Sequence, residues 1–410
     1  MPGIRIDSNS FQRYSISRNT AAQTCPHQKT MKTSPLSSEQ MQETKNLDWG
    51  MKVWAAYQLW DKVRFAVTNE GMHLPAMILG KEFREKEFRA KEEVERAFEG
   101  LGDIECRVKS QKSIYSKLFS KAVKNNHETI SLPQCRELIG DAIGTRLVLK
   151  ELDSETIENI KKDTLKKANL SPKLYEKWFK GELSKEEMNN ENVLEALDIA
   201  SGRIVTRLSE AQTQGFVDAL NKAIKNHDLK LVELNNYAGL GGYPYLSKRQ
   251  VQSIADTHFE KYQENLIVNS AADDIHKSGN KGIKASGYTT LQMNVIHRNG
   301  ALGELQIRGP EITKFAEYEH VPYDIRKGKL FSNKAKYEEI TPTLENLSEE
   351  SYAMYNNYLT ECYKYMRLQE LGIGFGKAPA FPTALIQKAN LSEREAYLLS
   401  QEGLSELSKA

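Results

Sequence analysis

The stretch Tyr288–Gly309, "YTTLQMNVIHRNGALGELQIRG", carries the clearest fold signal in the chain. Two runs rich in β-branched and aliphatic residues flank Asn299-Gly300, a dipeptide typical of two-residue hairpin turns. We therefore predict two strands, Tyr288–His297 and Ala301–Arg308, paired as a hairpin. The hairpin makes at least part of the sheet antiparallel.

The second strand of this hairpin alternates polar and apolar residues. Successive side chains of a strand point to opposite faces, so Leu305 and Ile307 are predicted to enter the core. Glu304, Gln306 and Arg308 then share the other face. A solvated sheet face with cross-strand pairs would give the same pattern, and so would a site for phosphate or metal.

Outside the hairpin, strands alternate with helices, which predicts an α+β fold. We expect a mixed, mostly antiparallel sheet flanked by helices, with added helices at both ends. Further strands are predicted at Ile104–Lys109, Ala142–Lys150 and Lys230–Leu234, and helices at Ala76–Phe98, Ser113–Lys124, Lys248–Tyr262 and Glu349–Leu371.

Four regions are expected along the chain. Residues 1–45 are polar and poor in apolar residues, so we expect disorder there. Residues 46–100 are predicted to form N-terminal helices. Residues 101–330 are predicted to form the functional domain, with a helical insertion at about 151–280, and residues 331–410 a helical C-terminal region.

Composition excludes several classes of protein. The 410 residues carry 57 Lys and Arg against 55 Asp and Glu, a net charge of +2, so no strong global field attracts the chain to DNA or membrane. No apolar run is long enough for a transmembrane helix, and the four cysteines form no Cys-x-x-Cys pair. We expect a cytoplasmic protein with free thiols. The polar N-terminus leaves open secretion into a target cell as an effector.

A group of cations is predicted where one strand meets the next helix. Arg107 and Lys109 share a strand face, and Lys117 lies in the helix that follows. Arginine offers a forked donor and lysine a point charge, so together they would suit a polyphosphate. A lone basic cluster is more often solvated surface. No Gly-x4-Gly-Lys-Ser/Thr phosphate loop occurs in the chain.

A third group of polar residues lies at the predicted strand Ala142–Lys150. Asp141 precedes this strand and Arg146 lies within it. A carboxylate in that place can bind Mg²⁺ through oxygen, and Glu304 is the natural second carboxylate. An aspartate that only caps the turn before the strand would look the same.

These groups fall into motifs with characteristic spacing, and the motifs together resemble the synthetase domain of the RelA/SpoT family of alarmone (ppGpp) synthetases. The resemblance covers about residues 100–330. The matching residues are Arg107, Lys109, Ser113, Ile114, Tyr115 and Lys117; Asp141 and Arg146; Lys284, Gly287 and Tyr288; Glu304, Gln306, Ile307 and Arg308; and the segment Ala316–His320.

The resemblance implies a Mg²⁺-dependent transfer of pyrophosphate from ATP to the ribose 3′-hydroxyl of GDP or GTP, which makes (p)ppGpp and releases AMP. It makes Asp141 and Glu304 the catalytic and metal-binding residues. The implied ATP-binding residues are Arg107, Lys109, Ser113, Lys117 and Arg146, and the implied acceptor-binding residues are Lys284, Gly287, Tyr288, Gln292, Gln306 and Arg308.

The departures from the family pattern concern the acceptor. The gap from Asp141 to Gly287 is long, position 292 is Gln where the family commonly has His, position 116 is Ser rather than a further cation, and His320 is shifted. Toxin-like relatives modify adenine nucleotides or the 3′ end of tRNA, and these acceptors remain alternatives. Basic residues in 161–167 and 277–284 could meet tRNA, although the near-neutral net charge disfavours it. A nucleotide-sensing or partner-binding module without turnover is a further alternative, which retention of both carboxylates disfavours.

Overall fold

The computed structural model describes residues 63–139, 141–272, 280–298, 300–326, 338–374 and 377–409. Four predicted features lie wholly or partly outside these ranges: the polar leader, residues 46–62 of the N-terminal helices, the lysine at the start of the 277–284 loop, and Asn299 of the turn. From Phe65 onward the chain belongs to one compact unit.

Eight strands occur in the described residues. They are β1 (Arg64–Ala66), β2 (Gly102–Val108), β3 (Thr129–Ser131), β4 (Ile143–Leu149), β5 (Leu229–Tyr237), β6 (Ile267–Ser270), β7 (Thr290–His297) and β8 (Leu302–Arg308). The sequence predicted β2, β4, β5, β7 and β8 but not β6 or the two three-residue strands β1 and β3. The strand predicted from Tyr288 begins two residues later, at Thr290.

Helices surround these strands. They are α1 (His73–Ala97), α2 (Gln111–Lys124), α3 (Leu132–Leu138), α4 (Ser154–Lys167), α5 (Pro172–Lys180), α6 (Lys185–Met188), α7 (Glu191–Lys225), α8 (Lys248–Tyr262), α9 (Pro310–Arg326), α10 (Thr341–Asn346), α11 (Glu349–Glu370), α12 (Thr383–Ala389), α13 (Glu393–Leu399) and α14 (Gln401–Lys409). None of these described helices is both long and apolar enough to span a membrane.

Six strands form one mixed sheet in the order β2-β4-β8-β7-β5-β6. The β2–β4, β8–β7 and β7–β5 pairs are antiparallel, whereas β4–β8 and β5–β6 are parallel. The predicted α+β class, with a mixed and mostly antiparallel sheet between helices, is therefore confirmed.

One face of this sheet is apolar and packs against helices. Leu305 and Ile307 are 1% and 0% exposed, which confirms the predicted core positions on β8. They pack in one cluster with Phe216 of α7, Ile254 of α8 and Phe315 of α9. Each buried Leu, Ile or Phe side chain contributes about 1.5–3 kcal/mol relative to an exposed one, so the register of β8 is strongly specified.

The helices predicted in the insertion form a smaller second core, to which Leu371 and Ile373 after α11 also contribute. Leu165 of α4, Tyr175 of α5 and Ile204 of α7 belong to it. The helical stretch ends at Lys225, and the strands that follow, β5 and β6, return to the central sheet. The insertion predicted at about 151–280 therefore supplies two sheet strands as well as helices.

Strand β5 contains a bulge. Leu231 is opposite Val295 on β7, but Glu233 is opposite Asn294, so Val232 is an extra residue on the β5 side. The alternation of faces shifts at that point. Leu229 and Leu231 enter the core, whereas Glu233 points to the opposite, polar face of the sheet.

A buried ion pair lies within α11, and its Glu370 contacts the segment that follows β8. Arg367 and Glu370 are 0% and 2% exposed, and their side chains lie 3.1 Å apart. Glu370 accepts hydrogen bonds from the Tyr245 hydroxyl at 3.0 Å and the Ile312 backbone N–H at 2.8 Å, and the Tyr245 hydroxyl accepts one from the Gly309 N–H at 2.7 Å. Because Gly309 directly follows Arg308, this network fixes the end of β8.

Candidate active site

The second face of the sheet is polar, and strand register aligns its side chains in rows. One row contains Arg107, Gly144, Glu304, Asn294 and Glu233, and the next contains Glu105, Arg146, Gln306, Gln292, Asn235 and Asn269. A third row contains Arg308, Thr290 and Tyr237. Motif residues that are far apart in sequence therefore lie on one face.

Asp141 lies between two of the predicted cations. Lys109 Nζ is 2.9 Å from Asp141 Oδ2, and Lys117 Nζ is 2.5 Å from Oδ1. Ser110 caps α2 by accepting from the Ser113 N–H, which starts the helix directly after β2 and brings Lys117 back to the strand. Burial disfavours the ionised carboxyl, but Lys117 and Lys109 outweigh that effect and lower the pKa of Asp141.

Arg107 lies on the same face and is exposed. A Cβ placed at Gly144 would lie 3.8 Å from Arg107 Cγ, so the Arg107 stem runs across the backbone of β4 at this glycine. Gly144 is the neighbour of Glu304 on β8. The absence of a side chain at residue 144 therefore keeps the space between the guanidinium and the carboxylate open.

Glu304 is oriented by two amides. Gln292 Nε2 donates to Oε2 at 2.6 Å, and Gln306 Nε2 donates to Oε1. Burial raises the pKa of Glu304, and the negative charge of Asp141 acts in the same direction, while Lys109 and Lys117 oppose it. The result is a carboxylate that is more basic than an exposed one and is held in a fixed orientation.

The two carboxylates fit the donor set that Mg²⁺ prefers. Asp141 and Glu304 supply oxygen, and their mutual repulsion is what a divalent cation would relieve. The described residues contain no cluster of three or more His, Cys, Asp or Glu that could hold a metal. A magnesium ion bound here would take its other ligands from water and substrate phosphate, as is usual for Mg²⁺.

Arg308 is buried on the same strand as Glu304 and holds it in place through Gln306. It is 5% exposed, and it donates to Thr290 Oγ1 at 3.1 Å, to Gln306 Oε1 at 3.1 Å and to the Tyr288 hydroxyl. Gln306 in turn donates to Glu304. The hydrogen bonds form a chain from Arg308 through Gln306 to the carboxylate.

Tyr288 approaches the polar face from the loop before β7. Gly287 has a φ of +76°, and a Cβ there would lie 2.3 Å from Thr360 Cα on α11, so only glycine allows this close approach. The Tyr288 ring is partly buried and lies edge-on to Tyr363, with 6.1 Å between ring centres.

Lys284 is placed by the same loop. Its backbone N–H donates to Ala238 O at 2.8 Å, and its ammonium lies 3.7 Å from the centre of the Tyr237 ring. Burial raises the pKa of Tyr237 to about 12, and Glu233, Tyr288 and Glu304 add to the effect. Lys284 therefore lies on the β5 side of the polar face, whereas the predicted acceptor residues Gln306 and Arg308 lie on β8.

Two further residues predicted to bind ATP, Arg146 and Ser113, lie on β4 and α2. Arg146 is 3.1 Å from Glu317 of α9 and 3.5 Å from Glu105 of β2, so its guanidinium lies between two carboxylates. Ser113 is exposed in the first turn of α2.

Two carboxylates near the site were missed from the sequence. Glu233 was overlooked because plain alternation places it with Leu229 and Leu231, and no sequence signal marks the bulge. Glu319 is buried on α9 and accepts from the Tyr363 hydroxyl at 3.2 Å, and burial raises its pKa to about 7. Its place in the Ala316–His320 motif was a signal that could have drawn attention to it.

Comparison with known proteins finds no matching family model and no matching curated protein. Among solved structures, the chain is similar to a GTP pyrophosphokinase family protein from Streptococcus pneumoniae, with 16% identity over 72% of this chain and 94% of that chain, at a TM-score of 0.24. A likeness of this size carries no inference about function.

Proposed function

We propose that the chain is a nucleotide pyrophosphokinase that transfers pyrophosphate from ATP to the ribose 3′-hydroxyl of GDP or GTP. One observation supports the proposal above the others: motif residues from separate segments converge on one sheet face. There the ion-paired cluster of Asp141, Lys109 and Lys117 is electrostatically coupled to Glu304. The motifs that meet there are those that resemble the RelA/SpoT synthetase domain.

In the proposed reaction, the 3′-oxygen of the acceptor attacks the β-phosphorus of ATP. The bond between that phosphorus and the oxygen bridging to the α-phosphate breaks, and AMP leaves with the bridging oxygen. Glu304 takes the proton of the 3′-hydroxyl. Its raised pKa and its two amide donors suit a positioned general base.

The cations are proposed to hold the triphosphate. Arg107 is exposed above Gly144, and Lys109 and Lys117 each have three donors, so both lysines can contact phosphate while they remain beside Asp141. Arg146 and Ser113 are proposed to contribute further contacts to ATP. Mg²⁺, held by Asp141 and Glu304, would neutralise the charge that develops on the transferred group.

The acceptor is proposed to lie over β7 and β5. The Tyr288 ring would stack on the base, and Lys284 and Gln292 would contact the nucleotide near it. Gly287 allows the loop to approach, and Gln306 and Arg308 keep Glu304 in the orientation needed for the 3′-hydroxyl.

The test is product analysis with ATP labelled in its β-phosphate, in the presence of Mg²⁺. GDP, GTP, ADP, ATP and tRNA are offered separately as acceptors, and AMP is measured alongside. We expect label in GDP or GTP, with one AMP released per transfer, and transfer at least about 100-fold slower with Glu304→Gln. Labelled ADP or free pyrophosphate without a labelled acceptor would contradict the proposal. Transfer only to an adenine nucleotide or tRNA would support pyrophosphate transfer but contradict GDP or GTP as the acceptor.

A further inference from the structure

The bulge in β5 brings a carboxylate to the polar face. Without the extra residue Val232, Glu233 would continue the face of Leu229 and Leu231, each 1% exposed, and would lie in the core. An ionised carboxyl there would be very costly. The bulge instead places Glu233 in the same row as Glu304. Bulges beside active sites commonly redirect a side chain in this way.

The Glu233 carboxylate is held in a fixed plane. Asn294 Nδ2 donates to Oε2 at 2.7 Å, and Asn269 Nδ2 donates to Oε1 at 3.0 Å. Both donors are neutral, so neither contact removes the negative charge. Each carboxylate oxygen can accept two hydrogen bonds, so each retains one acceptor position, and the side chain is only partly buried. The arrangement can receive two donors side by side.

A cation lies on the same side of β5, further along the strand. The Lys284 ammonium sits over the Tyr237 ring, and Tyr237 is on β5 four residues after Glu233. Burial lowers the pKa of Lys284, and the charge of Glu233 opposes that effect, so the two groups are electrostatically coupled. The polar face thus offers two carboxylate acceptors at Glu233 and a cationic donor at Lys284 along the same strand.

The spacing to Glu304 suits a nucleoside. Glu304 and Glu233 are in register on strands separated only by β7, with Asn294 between them. Two strand spacings amount to about 9.6 Å. A nucleoside whose 3′-hydroxyl is at Glu304 can therefore extend its base over Asn294 toward Glu233.

We infer that Glu233 and Lys284 select guanine over adenine at the acceptor site, an inference that rests on the proposed function. Guanine offers the N1–H and the 2-amino group, which would donate side by side to the Glu233 carboxylate, and O6, which would accept from Lys284. Adenine offers an acceptor at N1 and a donor at the 6-amino group. Adenine N1 would face the Glu233 carboxylate, acceptor against acceptor, and the 6-amino group would face the Lys284 ammonium, donor against donor. Glu233 and Lys284 would then lack hydrogen-bond partners on the base.

The test compares GDP, IDP and ADP as acceptors in the wild type, in Glu233→Gln and in the control Asp103→Asn. Asp103 is an exposed carboxylate on β2, at the far edge of the sheet. IDP keeps N1–H and O6 but lacks the 2-amino group. We expect the wild type to prefer GDP, then IDP, then ADP. Glu233→Gln should lower the GDP-to-ADP ratio of kcat/KM by about 5- to 150-fold, the discrimination of one bidentate pair. Asp103→Asn should change none of the three.

Equilibrium dialysis of GDP and ADP with each variant, without ATP, separates this inference from the proposed function. If the wild type transfers pyrophosphate to none of the acceptors, the proposed function fails. The inference still stands if GDP binds better than ADP and Glu233→Gln abolishes that preference. Equal use and equal binding of GDP and ADP by the wild type would overturn it. So would equal losses for both nucleotides in Glu233→Gln at an unchanged melting temperature.

Discussion

Replacing Glu304 with Gln removes one charge from the centre of the polar face and preserves the side chain's shape. In the wild type both carboxylate oxygens accept from amides, those of Gln292 and Gln306. The new amide keeps one acceptor oxygen, so one of the two neighbours must rotate to present its own oxygen. The fold should tolerate this change.

The expected loss of turnover follows from the proposed role. A positioned general base contributes about 10²- to 10⁴-fold, and the carboxylate also supplies half of the proposed magnesium site. The rate of AMP formation with saturating ATP and GDP measures the loss.

The same substitution has a predicted effect on stability with a defined sign. Since the pKa of Glu304 is raised in the folded state, the folded chain binds this proton more tightly than the unfolded chain does. Wild-type stability therefore falls as pH rises from the unfolded value of about 4.3 through the folded value. Glu304→Gln has no carboxyl to ionise in this buried position. It should therefore unfold at a higher temperature than the wild type at pH 7 and at the same temperature at low pH.

Two results would refute this reasoning. Turnover above about a tenth of the wild-type rate would exclude Glu304 as the general base. A stability difference that is independent of pH between pH 4 and 8 would show that the carboxyl is not destabilised by burial. Asp103→Asn serves as the matched control, because it removes an exposed carboxylate at the edge of the same face and should change neither property.

Three further predictions concern the rest of the site and its support. Lys117→Ala should raise KM for ATP, by the loss of a charge-assisted contact of about 1.5–3 kcal/mol, and leave the KM for GDP nearly unchanged in steady-state titrations; a change confined to GDP would reverse the two subsites. Tyr288→Ala should raise the KM for the acceptor through lost stacking of about 1–3 kcal/mol while Tyr288→Phe retains it, whereas equal damage to both substrates with a lower melting temperature would identify a packing residue. Glu370→Gln should lower the free energy of unfolding by about 3–5 kcal/mol in urea, because it leaves the buried charge of Arg367 without its carboxylate. The control Glu361→Gln removes the carboxylate of an exposed ion pair with Lys364 on the same helix and should cost under about 1 kcal/mol. Similar losses for the two variants would contradict this account.

Much of the fold could be predicted because the signals are local. The helix α8 begins and ends at the predicted residues, Lys248 and Tyr262, because Ser247 caps its start and Gln263 ends it in the left-handed conformation. Leu305 and Ile307 were placed in the core by simple alternation. Strand β6 was missed because it is only four residues long, and its strand character depends on pairing with β5 rather than on its own composition.

The sequence by itself determined the α+β class, the core face of β8 and the identity of the charged motifs, since alternation, turn residues and motif spacing are properties of neighbouring residues. Only the tertiary structure decided how those motifs meet. Asp141 lies between Lys109 and Lys117, and Arg308 holds Gln306 against Glu304, because strand order and register bring together residues that are distant in the chain.

The bulge that turns Glu233 to the polar face is the sharpest example of this division. The segment from Leu229 to Tyr237 contains no glycine or other residue that marks an irregularity, and its own alternation predicts the opposite face for Glu233. The extra residue exists only relative to the partner strand, β7, whose Asn294 and Val295 define the register. A side chain's face is local information within one regular strand, but a change of register is a property of the pair, so only the folded sheet could reveal it.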